Sequence, residues 1–273
     1  MLMTGQKEEY RGFLSGFTLK CIAMVTMLID HIGYVLFPGY VIFRIIGRLA
    51  FPIYCFLLVE GAVHTSNWKK YLGRLFLFAL ISEIPFNLAI GGSVWYPEAQ
   101  NVLFTLMLGL LAIRLLQEPL NRKNQSLDAG HGEISHSGRN QTLITGIRVA
   151  LVLALVLLAE FARTDYGAGG VIFILIFYVF RSQQLLKSAV FAAAVAFLYG
   201  GIENFAILSL VPILCYNEGK GSFPLPKHSK AEFGFPDKRG PGAWKYFFYV
   251  FYPAHLLLLY LLAAYVFRGA VVY

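Results

Sequence analysis

Long apolar runs separated by short polar breaks dominate the chain. Read from the N-terminus, they predict helices at 17–37, 41–63, 69–91, 101–117, 147–162, 167–181, 186–200, 203–217 and 245–267. About 20 mostly apolar residues suffice for one helix to cross a bilayer, so each run is a membrane-span candidate, the fifth to eighth being short. Two stretches break the pattern. Residues 118–146 are rich in Asn, Ser, Gly and His, and residues 218–242 in Gly, Pro and Lys, so both are expected to be solvated polar loops. The predicted fold class is all-α, a polytopic bundle of about nine transmembrane helices forming a single membrane domain. The first run, Phe17 to Phe37, is too long for a cleavable signal core and contains Asp30 and His31, so it is expected to remain as the first helix.

Composition sharpens this picture. The 273 residues are 58% hydrophobic and only 14% charged, too apolar for one water-soluble core of this length. Lipid is therefore the expected solvent, in the cytoplasmic (inner) membrane. The formal net charge of +8 does not point to nucleic acid, because the cations are scattered over loops and form no patch. They do alternate. Lys7, Arg11, Lys69, Lys70, Arg122, Lys123, Arg139, Arg148, Arg181, Lys187 and the cations of 218–242 fall at one set of helix ends, against Arg163 and Arg268 at the other. The positive-inside rule then puts the N-terminus in the cytoplasm and, for nine spans, the C-terminus outside. Cys21, Cys55 and Cys215 sit in apolar runs without metal spacing, and His131 and His136 have no Cys or carboxylate in ligand spacing, so no metal is expected.

Ionisable residues inside spans are costly, about 2.5–3.5 kcal/mol each at a helix centre, and need a reason. At about 1.5 Å of rise per residue, Asp30 and His31 lie roughly 9–10 Å below the outer surface, Arg44 and Arg48 roughly 5 and 10 Å, and Glu83 roughly 12 Å, with Asn87 one turn above it. Asn101 and Thr105 open the fourth helix, and Asp165 and Glu203 lie at outer helix ends. One reading of this layer is structural, with Arg48 paired to Glu83 and Arg44 to Asp30. The other is an outward-facing cavity in which His31 acts as a base, oriented by Glu83, while Asp30 pairs with Arg44 or Arg48. Lower down, Lys20, Glu60, His64 and Arg74 mark the opposite helix ends, and Tyr252 and His255 share a face of the last helix. Pro52 and Pro85 are expected to interrupt the second and third helices.

Several of these residues sit in recognisable text. "LKCIAMVTMLIDHIG", "RIIGRLAFPIYCFLLVEGAVHTSNWKKYLGRLFLFALISEIPFNLAI", "NVLFTLMLGLL", "DYGAGGVIFILIFY", "YNEGKG" and "KYFFYVFYPAHLLLL" resemble the TraX family, bacterial conjugative-transfer proteins linked to N-terminal acetylation of pilin. That family resembles a wider group of transmembrane acyltransferases. The resemblance implies transfer of an acetyl group from cytosolic acetyl-CoA to an exported protein, peptide or glycan acceptor at the extracytoplasmic face. It carries over Asp30, His31, Arg44, Arg48, Glu60, His64, Arg74, Glu83, Asn101 and His255. On that basis Asp30, His31 and Glu83 are the expected catalytic residues. Arg44, Arg48, Asn87, Asn101, Thr105, Asp165, Tyr252 and His255 are expected around the acceptor, with Arg48, Asn101 and Tyr252 as oxyanion donors. Lys20, Glu60, His64, Arg74 and Arg148 are expected around acetyl-CoA, the one cofactor implied. The alternatives are a transporter, disfavoured by the absence of an internal repeat, and a structural subunit of a conjugation or secretion system.

Overall fold

The computed structural model describes residues 12–117, 134–217 and 242–266. Among them are the helices α1 (Gly16–Val35), α2 (Val41–Gly47), α3 (Ala50–His64), α4 (Trp68–Gly91), α5 (Val102–Gln117), α6 (Ile134–Phe161), α7 (Gly167–Val179), α8 (Gln184–Leu198), α9 (Leu210–Leu214) and α10 (Gly242–Val266), and a 3-10 helix over Gly201–Ser209. No β-strand occurs among the described residues, so the fold there is all-helical. Five stretches are long and apolar enough to cross a membrane: Gly16–Val35, Val41–His64, Trp68–Gly91, Gln141–Phe161 and Tyr246–Val266. Four apolar helical stretches are shorter, namely Val102–Gln117, Gly167–Val179, Gln184–Leu198 and Gly201–Leu214.

Local chemistry sets the helix ends. Ser15 caps α1 by accepting from the Thr18 amide at 3.1 Å, and Asn67 caps α4 by accepting from Lys70 at 3.0 Å. Gly92 ends α4 at φ 66°, a left-handed conformation that glycine adopts without Cβ strain. The second predicted helix divides into α2 and α3 at Arg48–Leu49. Pro52 has no amide hydrogen to offer the Arg48 carbonyl four residues back, so the ladder breaks there. Pro85 behaves otherwise: α4 runs unbroken from Trp68 to Gly91, so the expected interruption is absent.

Two other expectations need correction. Helix α6 begins at Ile134, inside the stretch expected to be loop, because no proline interrupts the backbone ladder between Ile134 and Phe161. The run expected as a helix over 203–217 is a 3-10 helix followed by the short α9. Gly200 and Gly201, at φ 73° and 56°, turn the chain sharply just before it. Residues 118–133 and 218–241 of the two polar stretches, His131 included, lie outside the described residues, and nothing is described of the side chain of His136.

Helix α7 is the hub, packed against α3, α5, α6 and α8, and α10 lies against α4 and α1. Phe173, Phe177 and Phe191 are fully buried at the centre with Ile53, Leu110 and Ile174. Apolar side chains also face outward, among them Leu153, Leu157 and Phe161 on α6, as lipid contact requires. Backbone hydrogen bonds close the bundle at both ends. Leu14 and Asn217 join the start of α1 to the end of α9, while Gln100 bonds Arg163 and Asp165 at the opposite end.

The tightest approach near the polar layer is between α1 and α2. A methyl group on Gly47 would overlap the carboxylate and Cβ of Asp30, whereas one on Gly39 would meet nothing. Gly47→Ala is therefore expected to lower the unfolding temperature in detergent, at an overpacking cost of about 1–3 kcal/mol, with Gly39→Ala near neutral. Equal melting of the two variants would refute this packing.

Candidate functional site

The polar layer resolves into three groups. The first is an ion cluster. Asp30 on α1 takes Arg44 Nη1 at 2.7 Å and Arg48 Nη2 at 2.8 and 3.0 Å, and Arg48 Nη1 also reaches Glu203 of the 3-10 helix. Its Nε donates to the Arg44 carbonyl at 3.2 Å. Two carboxylates thus face two guanidiniums, and Arg48 is buried among them. Arg48 Nη2 alone spans both Asp30 oxygens, and Arg44 Nη1 adds a further charge-assisted bond, a class stronger than neutral hydrogen bonds. The expected pairing of Arg48 with Glu83 is not found. Glu203, noticed in the sequence only as lying at this depth, is the actual partner.

Beside the cluster lies the turn between α6 and α7. Thr105 donates its hydroxyl to the Asp165 carbonyl. Tyr166 sits at φ 66°, unusual for a residue with a side chain, and is held there from several sides. Its ring stacks on Phe51 at 3.8 Å, and its carbonyl accepts from the Tyr199 hydroxyl at 2.6 Å and the Gly170 amide at 2.8 Å. In the sequence Tyr166 figures only as part of the "DYGAGGVIFILIFY" text, with no role attached. Burial pushes the Asp165 carboxyl up to about 6 from its ordinary 3.8, against the opposing pull of Arg48.

This shift has a stability consequence. A carboxyl whose folded pKa is raised stabilises the fold fully below its unfolded value, and that contribution is lost as pH rises through about 6. Asp165→Asn is therefore expected to melt higher than the parent at pH 7.5, by on the order of 1–3 kcal/mol of stability, and to match it near pH 4. A gap that is the same at both pH values would sink the assignment.

The second group is a histidine pair. His31 Nδ1 lies 2.9 Å from His255 Nε2, and His255 Nδ1 lies 2.8 Å from the Phe251 carbonyl. The Phe251 ring stacks on His255 at 4.8 Å, and the Tyr252 ring lies 5.7 Å from that of His255 and 6.3 Å from that of His31. His31 is half-buried and faces α10. Its expected partner, Glu83, belongs to the third group.

There, Asn101 donates its side-chain amide to Glu83 and to the Ala79 carbonyl, and its Oδ1 accepts from the Leu103 amide at 3.1 Å. Fully buried, Asn101 caps α5 and ties it to α4. With both amide hydrogens engaged, it has none left for an oxyanion. Asn87 donates to the Val94 carbonyl at 3.1 Å and holds the loop after α4.

A cavity of about 480 Å³ enters from the other end of the bundle. Lys20, Thr65 and Arg74 line it near the helix ends, and Tyr54, Leu103 and Tyr252 line it deeper in. The Arg74 guanidinium stacks over Tyr71 at 5.5 Å, and its Nε is buried with no hydrogen-bond partner. Lys20 stands 5.8 Å over the Phe248 ring. Glu60, His64 and Arg148, grouped with these two in the sequence, do not line the cavity. His64 instead donates to the Glu60 carbonyl at 2.9 Å, and Glu60 accepts from the Tyr216 hydroxyl at 3.4 Å.

Membrane-length apolar helices gathered around buried charges define a polytopic helical membrane protein. Within that class the chain belongs to the TraX protein family, whose model matches residues 15–263. It is 30% identical over 259 residues to the probable fimbrial assembly protein FimC, serogroup H1, of Dichelobacter nodosus, covering 90% of this chain and 94% of that one. It is also 43% identical over 84 residues to the uncharacterized protein RP591 of Rickettsia prowazekii (strain Madrid E), covering 31% of this chain and 30% of that one. No solved structure matches.

Proposed function

We propose that the protein is a membrane-embedded acetyltransferase, moving an acetyl group from cytosolic acetyl-CoA to an amine or hydroxyl of an exported protein, peptide or glycan. The observation that carries this reading is the cavity running from Lys20 and Arg74 to Tyr252, whose ring adjoins the His31–His255 pair. Its residues fit an acyl-CoA. Lys20 and the Arg74 guanidinium offer positive charge where phosphates would lie, and the lining between Leu57 and Leu106 is largely apolar. Lys20 and His31 are separated along α1 by a rise of about 16 Å, a distance that a phosphopantetheine arm spans.

In this reading the N-terminus is cytoplasmic, nine helical stretches cross the inner membrane, and the C-terminus lies outside. His31 takes the proton from the acceptor as its nitrogen or oxygen bonds the acetyl carbonyl carbon. The carbon–sulfur bond breaks, and the departing thiolate regains that proton from His31. Tyr252 remains as a donor for the developing oxyanion, since Asn101 is engaged and all three nitrogens of Arg48 are committed to Asp30, Glu203 and the Arg44 carbonyl. The ion cluster holds α1, α2 and the 3-10 helix together around the reacting residues. The fimbrial name of the relative supports an exported subunit as acceptor. Purified protein incubated with radiolabelled acetyl-CoA is expected to bind it saturably and to release or transfer label. Failure to bind at millimolar acetyl-CoA would overturn the reading, and flux of another solute in proteoliposomes would replace it with transport.

A further inference from the structure

The hydrogen bonds of the histidine pair run in one direction. A backbone carbonyl only accepts, so His255 Nδ1, 2.8 Å from the Phe251 carbonyl, carries its ring hydrogen. In the neutral ring, Nε2 of His255 then has a free lone pair. His31 Nδ1, at 2.9 Å, donates to it. The Met27 carbonyl one turn back, which also only accepts, is a second neighbour of the His31 ring on the side that a helical histidine turns to its own backbone. The lone pair of His31 is then on Nε2. We infer that His255 is a positioning residue that fixes the tautomer of His31, so that His31 accepts its proton at Nε2. This rests on the acetyltransferase reading for its consequence but not for its geometry.

The arrangement follows the logic of catalytic triads, in which a second group sets the tautomer and orientation of the base. Here the second group is an uncharged imidazole, itself held by a carbonyl of its own helix and by the stacked ring of Phe251. When His31 Nε2 takes a proton, the Nδ1 hydrogen can shift to His255 Nε2 while the first remains on His31. The charge then rests on His255, whose Nδ1 hydrogen stays on the Phe251 carbonyl. No proton is gained or lost within the pair beyond the one taken from the acceptor. The anions of the ion cluster, Asp30 on α1 and Glu203 on the 3-10 helix, are neutralised by Arg44 and Arg48, so they do not substitute for this acceptor.

The test uses the full chain in lipid nanodiscs with nitrogen-15-labelled histidine, the His31 resonances being assigned by comparison with His31→Ala. The parent is expected to show His31 protonated at Nδ1. His255→Gln, whose side-chain oxygen can accept in place of Nε2, is expected to keep that tautomer. It should also keep turnover within about tenfold of the parent. His255→Leu cannot accept. It should shift His31 towards the Nε2-protonated form and lower kcat about 100-fold or more, with the KM for acetyl-CoA unchanged. A parent His31 protonated at Nε2 would overturn the inference, as would a His255→Leu variant that retains the Nδ1 form. If the parent binds no acetyl-CoA, the acetyltransferase reading fails, and the tautomer measurement still decides this one.

Discussion

Replacing His31 with alanine is expected to lower acetyl transfer by about 10²–10⁴-fold while leaving acetyl-CoA affinity within a few-fold of the parent. The split follows from position. His31 does not line the cavity that runs from Lys20 and Arg74, so removing its ring leaves the proposed binding surface intact. What disappears is the proton acceptor beside Tyr252 and the partner of His255 Nε2. Stability should fall modestly, since the ring is only half-buried but buried His255 loses the donor to its Nε2. Single-turnover assays in nanodiscs with radiolabelled acetyl-CoA would measure both quantities. A His31→Ala protein that transfers acetyl at the parent rate would remove the histidine from the chemistry and return the layer to a structural role.

The helices were legible because lipid imposes a crude rule, about 20 apolar residues per crossing, which α1, α4 and α10 follow plainly. Pro52 also announced its break, since a missing amide hydrogen acts within one turn. The 3-10 geometry over Gly201–Ser209 did not show, because it depends on the backbone sense of two consecutive glycines, a choice that composition leaves open.

Within the site, depth could be counted along each helix but azimuth and neighbour order could not. Asp30 with Arg44 was accessible, as the two lie on consecutive helices joined by a tight turn. Arg48 with Glu203 was not, because Glu83 and Glu203 lie in the same layer and only the packing of the 3-10 helix against α2 and α3 selects between them. The histidine pair joins residues 224 positions apart on helices at opposite ends of the chain, a meeting that the helix pattern cannot foretell. The role of Tyr166 is not legible from its motif because it comes from a left-handed backbone and a ring stack, neither of which has a sequence period.

Arg48 carries the largest expected effect on folding. Arg48→Met removes one of two guanidiniums from a cluster holding two carboxylates, and leaves Glu203 without its cation. Breaking a buried ion pair from one side costs about 3–5 kcal/mol, because the remaining charge stays desolvated. Asp30 keeps Arg44, and the Glu203 side chain is 28% exposed and draws on water, so the lower end, about 3 kcal/mol, is expected. The double variant Arg48→Met, Glu203→Gln removes the stranded charge along with its partner and is expected to recover most of the loss. Thermal unfolding of the four proteins in one detergent closes the cycle. A coupling near zero would mean that Glu203 is solvated independently of Arg48, and α2 and the 3-10 helix would then be held together by apolar packing alone.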